Sequence, residues 1–491
     1  MTQYYTVPSE YYHRIHFVRP RFKSNIENVL LYMANECCKI PPSTCADYNA
    51  RYTNAIRMFP GNIAVTPKTI ANWRTEIPAL FPFYEEDKRA NITHTSRMAE
   101  FLNENQDLTQ FFKFFLYSFQ FPGGHLKPQD NIELIKLGIR FKPAKTILQV
   151  LMEGNIILDE NGIGKEMSIS AEEATYCIFN DIRVTTGLRK PREIAQTILD
   201  NRTRKIKYYN KKDPNILNLK GLPRSKGDVT RYAGDILDYM EIAALVEKHD
   251  NYFYLAPNQA DAISLISSDD SFFNGYEHLY GITDITPQQV TAIEVDWFKY
   301  VNDSLDSDKF KTDLTTILEK DSEIKVIVDD RIREIISSDT TTTKDVGNIG
   351  ETLIHGHEVA RLTIAGYPDL AKLVKIVDSP SYHPGFDIDS FEGDEDSLHR
   401  YIEVKTTISR RRIKMYNFHM SPNEWSVART HREHYYVYRL MLSMDDKTLY
   451  ILRDPVGLDR QDKITAMPRN GMEVSFDADL FESTPLLTPA I

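Results

Sequence analysis

Cysteine is scarce in this chain: Cys37, Cys38, Cys45 and Cys177 are the only four in 491 residues. No CxxC pair occurs. That excludes a disulfide-stapled scaffold and a zinc ribbon, and leaves a reduced protein with ordinary thiols. No run of 18 apolar residues is present, so no membrane-spanning helix is expected. The opening MTQYYTVPSEYYHRIHF lacks the charged-then-apolar layout of a secretory leader, and the expected location is cytoplasmic. No GxxxxGK[ST] loop is found, which argues against nucleotide-driven work within this chain. No repeat of solenoid period is visible.

What is present is ordinary for a folded chain: 42% hydrophobic, 26% charged and 11% aromatic residues. At roughly 150 residues per domain the length suggests about three domains. The charge is uneven. The net formal charge is -11, yet Arg183 to Arg231 holds 14 Lys/Arg against Glu193, Asp200, Asp213 and Asp228. A local excess of positive charge with Tyr208 and Tyr209 interleaved is the footprint of phosphate contact rather than of a mixed solvated loop. The candidates are Arg202, Arg204, Lys205, Lys207, Lys211, Lys212, Arg224, Lys226 and Arg231.

Three regions follow along the chain. Residues 1–265 alternate helical patterns with turns and form the candidate recognition region. Thr66-Pro67 opens a short helix ahead of a Pro-rich break, and LTQFFKFFLYSFQF (108–121) reads as a buried helix. Two segments have the layout of winged-helix units. In KPAKTILQVLMEGNIIL a helix precedes a short extended stretch. In the second, Val229, Ala233, Ile236, Leu237 and Met240 recur at helical spacing ahead of ALVEKHDNYFYL, two strands joined at His249-Asp250-Asn251. Residues 266–344 read as an acidic helical linker, with SSDTTTTKD (337–345) as its loosest part.

Residues 345–491 carry the chemistry. In GNIGETLIHGHEVARLTIA, residues Ile349, Leu353, Ala360 and Ile364 form an apolar stripe, and Glu351 lies off it. FDIDSF and RYIEVKTT alternate as strands do, with EGDEDSL as the turn between them. A hairpin centred on Glu395 sets Asp387 opposite Glu403, with Lys405 on the same face. Phe386, Ile388, Ile402 and Val404 then point to the core. Two facing carboxylates repel, and a divalent cation relieves them. Hard oxygen ligands at this separation suit Mg2+, which takes one or two carboxylates plus substrate phosphate. Lys405 would position the attacking water or stabilise phosphoryl charge.

These stretches, GE on a helix, PGFDIDS and IEVK, resemble the core of the PD-(D/E)XK nuclease superfamily. Together with VGNIGETLIHGHEVARL, GYPDLAKLVKIVDS, MSPNEWSVA and HYYVYRLM they resemble the NO VEIN-type nuclease-like domain, also found in bacterial restriction enzymes. The likeness spans about 345–440. It implies an α/β core, Asp387 and Glu403 as metal ligands, Lys405 as catalytic lysine and Glu351 as helix acid. Phe386 stands where the superfamily's proline would precede Asp387. The first 265 residues resemble, in layout alone, the recognition halves of type IIS-like restriction enzymes.

The implied whole is a multi-domain α+β chain: a helix-rich N-terminal half with winged-helix units, a helical linker and a C-terminal α/β PD-(D/E)XK core. The implied activity is that of a type II restriction endonuclease cutting duplex DNA with Mg2+. It would act as a dimer at least transiently, since one site cuts one strand at a time. With no glycine-rich methyltransferase motif here, that enzyme would be a separate chain. Two alternatives stay open: a nuclease dependent on methylated bases, and a catalytically inactive DNA-binding regulator. Around the site, Ser421-Pro422-Asn423-Glu424 reads as a capping box, with Glu424 balanced between cap and site. Asn423 and His383 are candidates for the active-site wall, and Arg410, Arg411 and Arg412 for a clamp on the DNA backbone.

Overall fold

The computed structural model describes residues 3–20, 26–59, 62, 65–87, 90–209, 229–303, 305, 310, 343–377, 384–393, 398–408, 416–443, 446–468 and 471–487, with the backbone of 212–217 and 223–225. The expected linker segment 337–342, the turn tip 394–397, and Lys211, Lys226, His383, Arg410, Arg411 and Arg412 lie outside these residues. The chain divides into two compact units. The first is Met1–Ser24, Met33–Asn103 and Gln110–Asp306, and the second is Asn25–Tyr32, Glu104–Thr109 and Ser307–Ile491.

The first unit is mostly helical. Helix α1 (Pro67–Leu80) starts at the Thr66 cap, whose hydroxyl accepts from Thr69 N. It does not stop before the Pro-rich break, because Pro78 and Leu80 are buried within it. Helix α2 (Leu108–Ser118) buries Phe111, Phe112, Phe114 and Phe115, as its all-round apolarity requires. Helix α3 (Pro128–Lys136) follows.

The first expected helix-then-strand unit is a single 18-residue helix, α4 (Pro143–Glu160). Gly154, Ile157 and Leu158 stay helical because they continue the buried face set by Ile147, Leu148 and Leu151. The extended stretch expected there is therefore corrected. In the second such segment a helix is followed by two strands, as the spacing predicts. Strand β1 (Ser168–Ser170) and helix α5 (Pro191–Thr203) precede the hairpin β2 (Lys212–Leu217) and β3 (Pro223–Ser225). Helix α6 (Arg231–Ile242) then leads into the hairpin β4 (Val246–His249) and β5 (Tyr252–Leu255). β1 joins β5 to make a three-stranded sheet.

Helix α7 (Pro287–Asp303) forms as expected but is no connector. Val290, Ile293, Trp297 and Val301 pack with Ile132, Ile135, Phe273 and Tyr276 in one core. The first unit thus runs to Asp306, past the expected boundary at 265.

In the second unit helix α8 (Thr343–Ile364) covers one face of a five-stranded sheet. The strands are β6 (Lys375–Ile376), β7 (Ile388–Phe391), β8 (His399–Ile408), β10 (Tyr435–Leu442) and β11 (Lys447–Arg453), in the order β11-β10-β8-β7-β6. β8 and β10 run parallel, and the other neighbours are antiparallel. His399 pairs with Phe391 and Ile402 with Ile388, the register of a hairpin centred on residue 395. Ile349, Leu353, Ile388, Ile402 and Val404 fill the core under α8. Ile364, at the helix end, is 73% exposed and leaves the expected stripe.

The opposite sheet face is covered by helix α9 (Pro422–His431) and a small sheet ordered β9 (Phe418–Met420), β13 (Met472–Phe476), β12 (Ile464–Pro468). Phe386 packs on this second face, its ring 4.8 Å from that of Tyr401. It precedes the first strand residue, Ile388, and follows Gly385 at φ +88°, so strand alternation does not reach it.

Candidate active site and candidate nucleic-acid interface

The register of β7 and β8 brings Asp387, Glu403 and Lys405 together. Asp387 N donates to Ile402 O at 2.9 Å, and Val404 N donates to Asp387 Oδ2 at 2.7 Å. Lys405 Nζ lies 2.6 Å from Glu403 Oε1 and 3.0 Å from Glu424 Oε2. Glu403 is 2% exposed, and its Oε2 has no hydrogen-bond partner among the described residues. Burial, then Asp387 and Glu424, push the Glu403 carboxyl well above the usual range against the pull of Lys405. Burial opposes the Lys405 charge, but Glu403, Glu424 and Asp387 outweigh it and raise the ammonium. Burial likewise opposes the Glu424 charge, yet Lys405 and the Ser421 hydrogen bonds hold that carboxylate below its ordinary value.

The residue that sequence reasoning left undecided is therefore at the centre. Glu424 closes the capping box, with Ser421 N donating to its Oε2 at 2.9 Å and Glu424 N donating to Ser421 Oγ at 3.2 Å. The same carboxylate takes Lys405. The Ser-Pro-Asn-Glu spacing marks the cap but carries no sign that the same carboxylate faces β8. Asn423, the expected wall residue, is exposed, and its Nδ2 lies beside Gly385. A Cβ on Gly385 would sit 2.7 Å from Val427. Glu351 sits half-buried on α8, next to Gly350, which packs directly on Thr406 of β8.

Arg439 is a second residue the sequence did not single out. It is the register partner of Lys405 on β10 and is 1% exposed. Its Nη1 donates to Lys405 O at 3.1 Å and its Nη2 to Gln106 Oε1 at 2.8 Å. Thr407 Oγ1 also donates to Gln106 Oε1, at 2.5 Å. Burial pulls the guanidinium down to about 9.

Among the described residues no three His, Cys, Asp or Glu side chains form a ready-made metal cage. The donor set is instead two adjacent carboxylates, one with a buried unpartnered oxygen. That fits an ion accepting one or two protein carboxylates and filling its remaining positions with water and phosphate oxygens. Of the histidines on α8, His355 Nε2 is 3.1 Å from Val374 O, and His357 Nδ1 accepts from Leu487 N at 3.0 Å.

In the first unit the basic stretch is not uniformly available. Arg202 donates to Glu173 at 2.8 Å and to Ser168 O at 2.8 Å, tying α5 to β1. Arg204, Lys205 and Lys207 are exposed. Lys212 and Arg224 sit on β2 and β3. Arg231 lies over the Tyr232 ring, 4.8 Å from its centroid. A cavity of about 920 Å³ gathers residues that sequence spacing had kept apart: Arg19, Lys68, Lys127 and Arg231, with Thr66, His16, Glu76 and Asp130, and Arg19 is paired with Asp235. Three of these cations stand in the first turn or at the cap of α1, α3 and α6. Three helix starts, each with partly positive N–H groups, open on one space.

It is the comparisons that relate the chain to restriction-type proteins. Residues 5–298 match the family described as restriction endonuclease BpuJI, N terminal. The match spans well over half of the chain, and the chain belongs to that family. Residues 350–452 match the family described as protein NO VEIN, C-terminal. That segment contains Glu351, Asp387, Glu403, Lys405, Glu424 and Arg439. No curated protein matches. One similar solved structure is of pyrene- and phenanthrene-modified DNA in complex with the BpuJ1 endonuclease binding domain. It is 25% identical, with a TM-score of 0.51, and the match covers 60% of this chain and all of that one.

Proposed function

We propose that this chain is a type II restriction endonuclease. Its first unit reads duplex DNA, and its second unit hydrolyses phosphodiester bonds with Mg2+ on a PD-(D/E)XK-type core. The observation that carries this reading is the convergence of Asp387, Glu403 and Lys405 on one sheet face, with Glu403 Oε2 buried and unpartnered. Asp387 and Glu403 are the residues that would hold the ion. Mg2+ bound there supplies a Lewis acid and a water of lowered pKa.

The rest of the chemistry falls to the protein. The Val404 amide and the Ile402 carbonyl fix the Asp387 backbone and one of its oxygens, so the carboxylate is preset rather than recruited. Lys405 presents a permanent positive charge beside the acids. It can orient an attacking water and offset negative charge as the phosphorus is attacked. The low exposure of Glu403 excludes bulk solvent and strengthens each of these interactions.

DNA contact by the first unit is supported by the family match, by the DNA complex of the similar structure and by the cavity where three helix starts meet with Lys68, Lys127 and Arg231. Helix α6 with the β4–β5 hairpin has the order of a winged helix; Lys207 lines a cavity with Gly234, Asp238 and Lys248, and the exposed Arg204 and Lys205 are further candidate phosphate contacts. Cutting both strands would take two catalytic units, hence a dimer at least during cleavage. The modifying methyltransferase would be a separate chain. Loss of a site acid or of the lysine would favour an inactive regulator, and neither is lost here.

The test is digestion of a phage genome by the purified protein with Mg2+ or with EDTA, followed by sequencing of the ends. Discrete ends that need Mg2+ and vanish in Asp387→Ala and Lys405→Ala support the reading. Cleavage that persists in Asp387→Ala removes this site from it.

A further inference from the structure

Lys405 is held by two carboxylates, not one. Glu403 takes the ammonium on Oε1 at 2.6 Å, and Glu424 takes it on Oε2 at 3.0 Å. An ammonium has three donors on a point charge and can serve both acids at once. Without Glu424 the same ammonium would belong to Glu403 alone. It would then neutralise the carboxylate that a cation needs, and it could swing to reach Oε2.

Glu424 is well suited to prevent this. The carboxylate cannot drift, because Ser421 N holds its Oε2 at 2.9 Å and the start of α9 fixes its backbone. The helix start also favours negative charge at this position. The result is visible at Glu403: one oxygen engaged, the other buried and unpartnered.

We propose that Glu424 is a positioning residue for Lys405, drawing the ammonium to the α9 side so that Glu403 Oε2 stays available to a divalent cation. The proposal rests on the nuclease reading above and assigns a second role to a residue that otherwise caps a helix. It concerns where the lysine points, and no bond is made or broken by Glu424.

The experiment compares the full chain with Glu424→Gln and Ser421→Ala. Gln at this position keeps a capping box, so the fold is retained and folding is checked by circular dichroism. Ser421→Ala weakens the cap while leaving the lysine's partner in place. Two readouts are taken besides cleavage: Mn2+ affinity by calorimetry, and the acetylation rate of Lys405 by mass spectrometry after limited acetic anhydride.

In Glu424→Gln, Lys405 labels faster than in wild type and Mn2+ binds about tenfold more weakly, the usual scale for a residue behind a metal ligand. Single-turnover cleavage falls while the DNA dissociation constant is unchanged. Ser421→Ala leaves labelling and Mn2+ affinity at wild-type values. Where the wild type binds Mn2+, an unchanged labelling rate or an unchanged Mn2+ affinity in Glu424→Gln overturns the proposal, as does an equal effect of Ser421→Ala. Faster labelling in Glu424→Gln, together with a wild type that neither binds Mn2+ nor cuts DNA, keeps the lysine assignment and removes the nuclease reading instead.

Discussion

Lys405 and Arg439 face each other across parallel strands β8 and β10, and the Arg439 guanidinium donates to the Lys405 carbonyl oxygen at 3.1 Å. Two cations are thus neighbours in the sheet. One is balanced by carboxylates, and the other is buried against neutral oxygens, those of Lys405 O and Gln106 Oε1.

That imbalance makes Gln106 a sensitive position. Gln106→Leu removes an acceptor from a buried guanidinium and is expected to destabilise the protein by about 1–3 kcal/mol. Gln106→Glu supplies the missing counter-charge and is expected to stabilise it. Urea unfolding of the two variants at neutral pH should move the midpoint in opposite directions. Equal shifts would contradict this account of Arg439.

His357 should contribute to acid sensitivity, alongside His125, which burial lowers further, to about 3. Burial, with Arg361 and Arg400 nearby, lowers its pKa to about 4 despite Glu358. Its Nδ1 accepts from Leu487 N, which only the neutral ring permits. A histidine held neutral in the fold contributes stability above its unfolded pKa of 6.5, and loses that contribution as pH falls toward 4. The loss is at most about 3 kcal/mol, at 1.36 kcal/mol per pKa unit. His357→Asn should reduce the dependence of stability on pH between 6.5 and 4, leaving the part that His125 carries. An unchanged slope would place the sensitivity elsewhere.

The close contact of α8 with β8 is testable at Gly350. A Cβ there would lie 1.8 Å from Thr406 Oγ1. Gly350→Ala is expected to cost about 1–3 kcal/mol by overpacking. Adding Thr406→Ala should recover part of the loss, and thermal melting of the double variant against each single variant reads this coupling.

For the first unit, Arg202 should behave differently from the groove cations. Arg202→Ala breaks its bonds to Glu173 and Ser168 and lowers the melting temperature. Lys68→Gln and Lys127→Gln should leave melting unchanged and weaken DNA binding, each lowering the slope of log affinity against log salt by about one. Binding by anisotropy from low to moderate salt distinguishes the two classes.

Much of the site could be read before any coordinates. Alternation in FDIDSF and RYIEVKTT, with a polar turn between, determines one hairpin register, and the observed pairing of Ile402 with Ile388 is that register. Period-two patterning says nothing of which helix lies over the face, so Glu424 stayed undecided between cap and site. Arg439 was invisible for a related reason. It sits within YYVYRLML, a strand buried on both faces, where a charge has no pattern to mark it. The helical extension of α4 through Gly154 was lost because a glycine and a β-branched pair mimic a strand locally, while the buried helix face decides otherwise. The groove of α1, α3 and α6 is assembled from distant segments, and no local window contains it.

Asp387, Glu403, Lys405, Glu424 and Arg439 all fall within one continuous piece of chain, whereas the oxygen that quiets Arg439 comes from position 106, far upstream. The short segment Glu104–Thr109, which carries Gln106, belongs to the same compact unit as that piece. Cutting the chain at about residue 310 would therefore take one acceptor away from a buried guanidinium, so an isolated second unit needs residues 104–109 supplied with it.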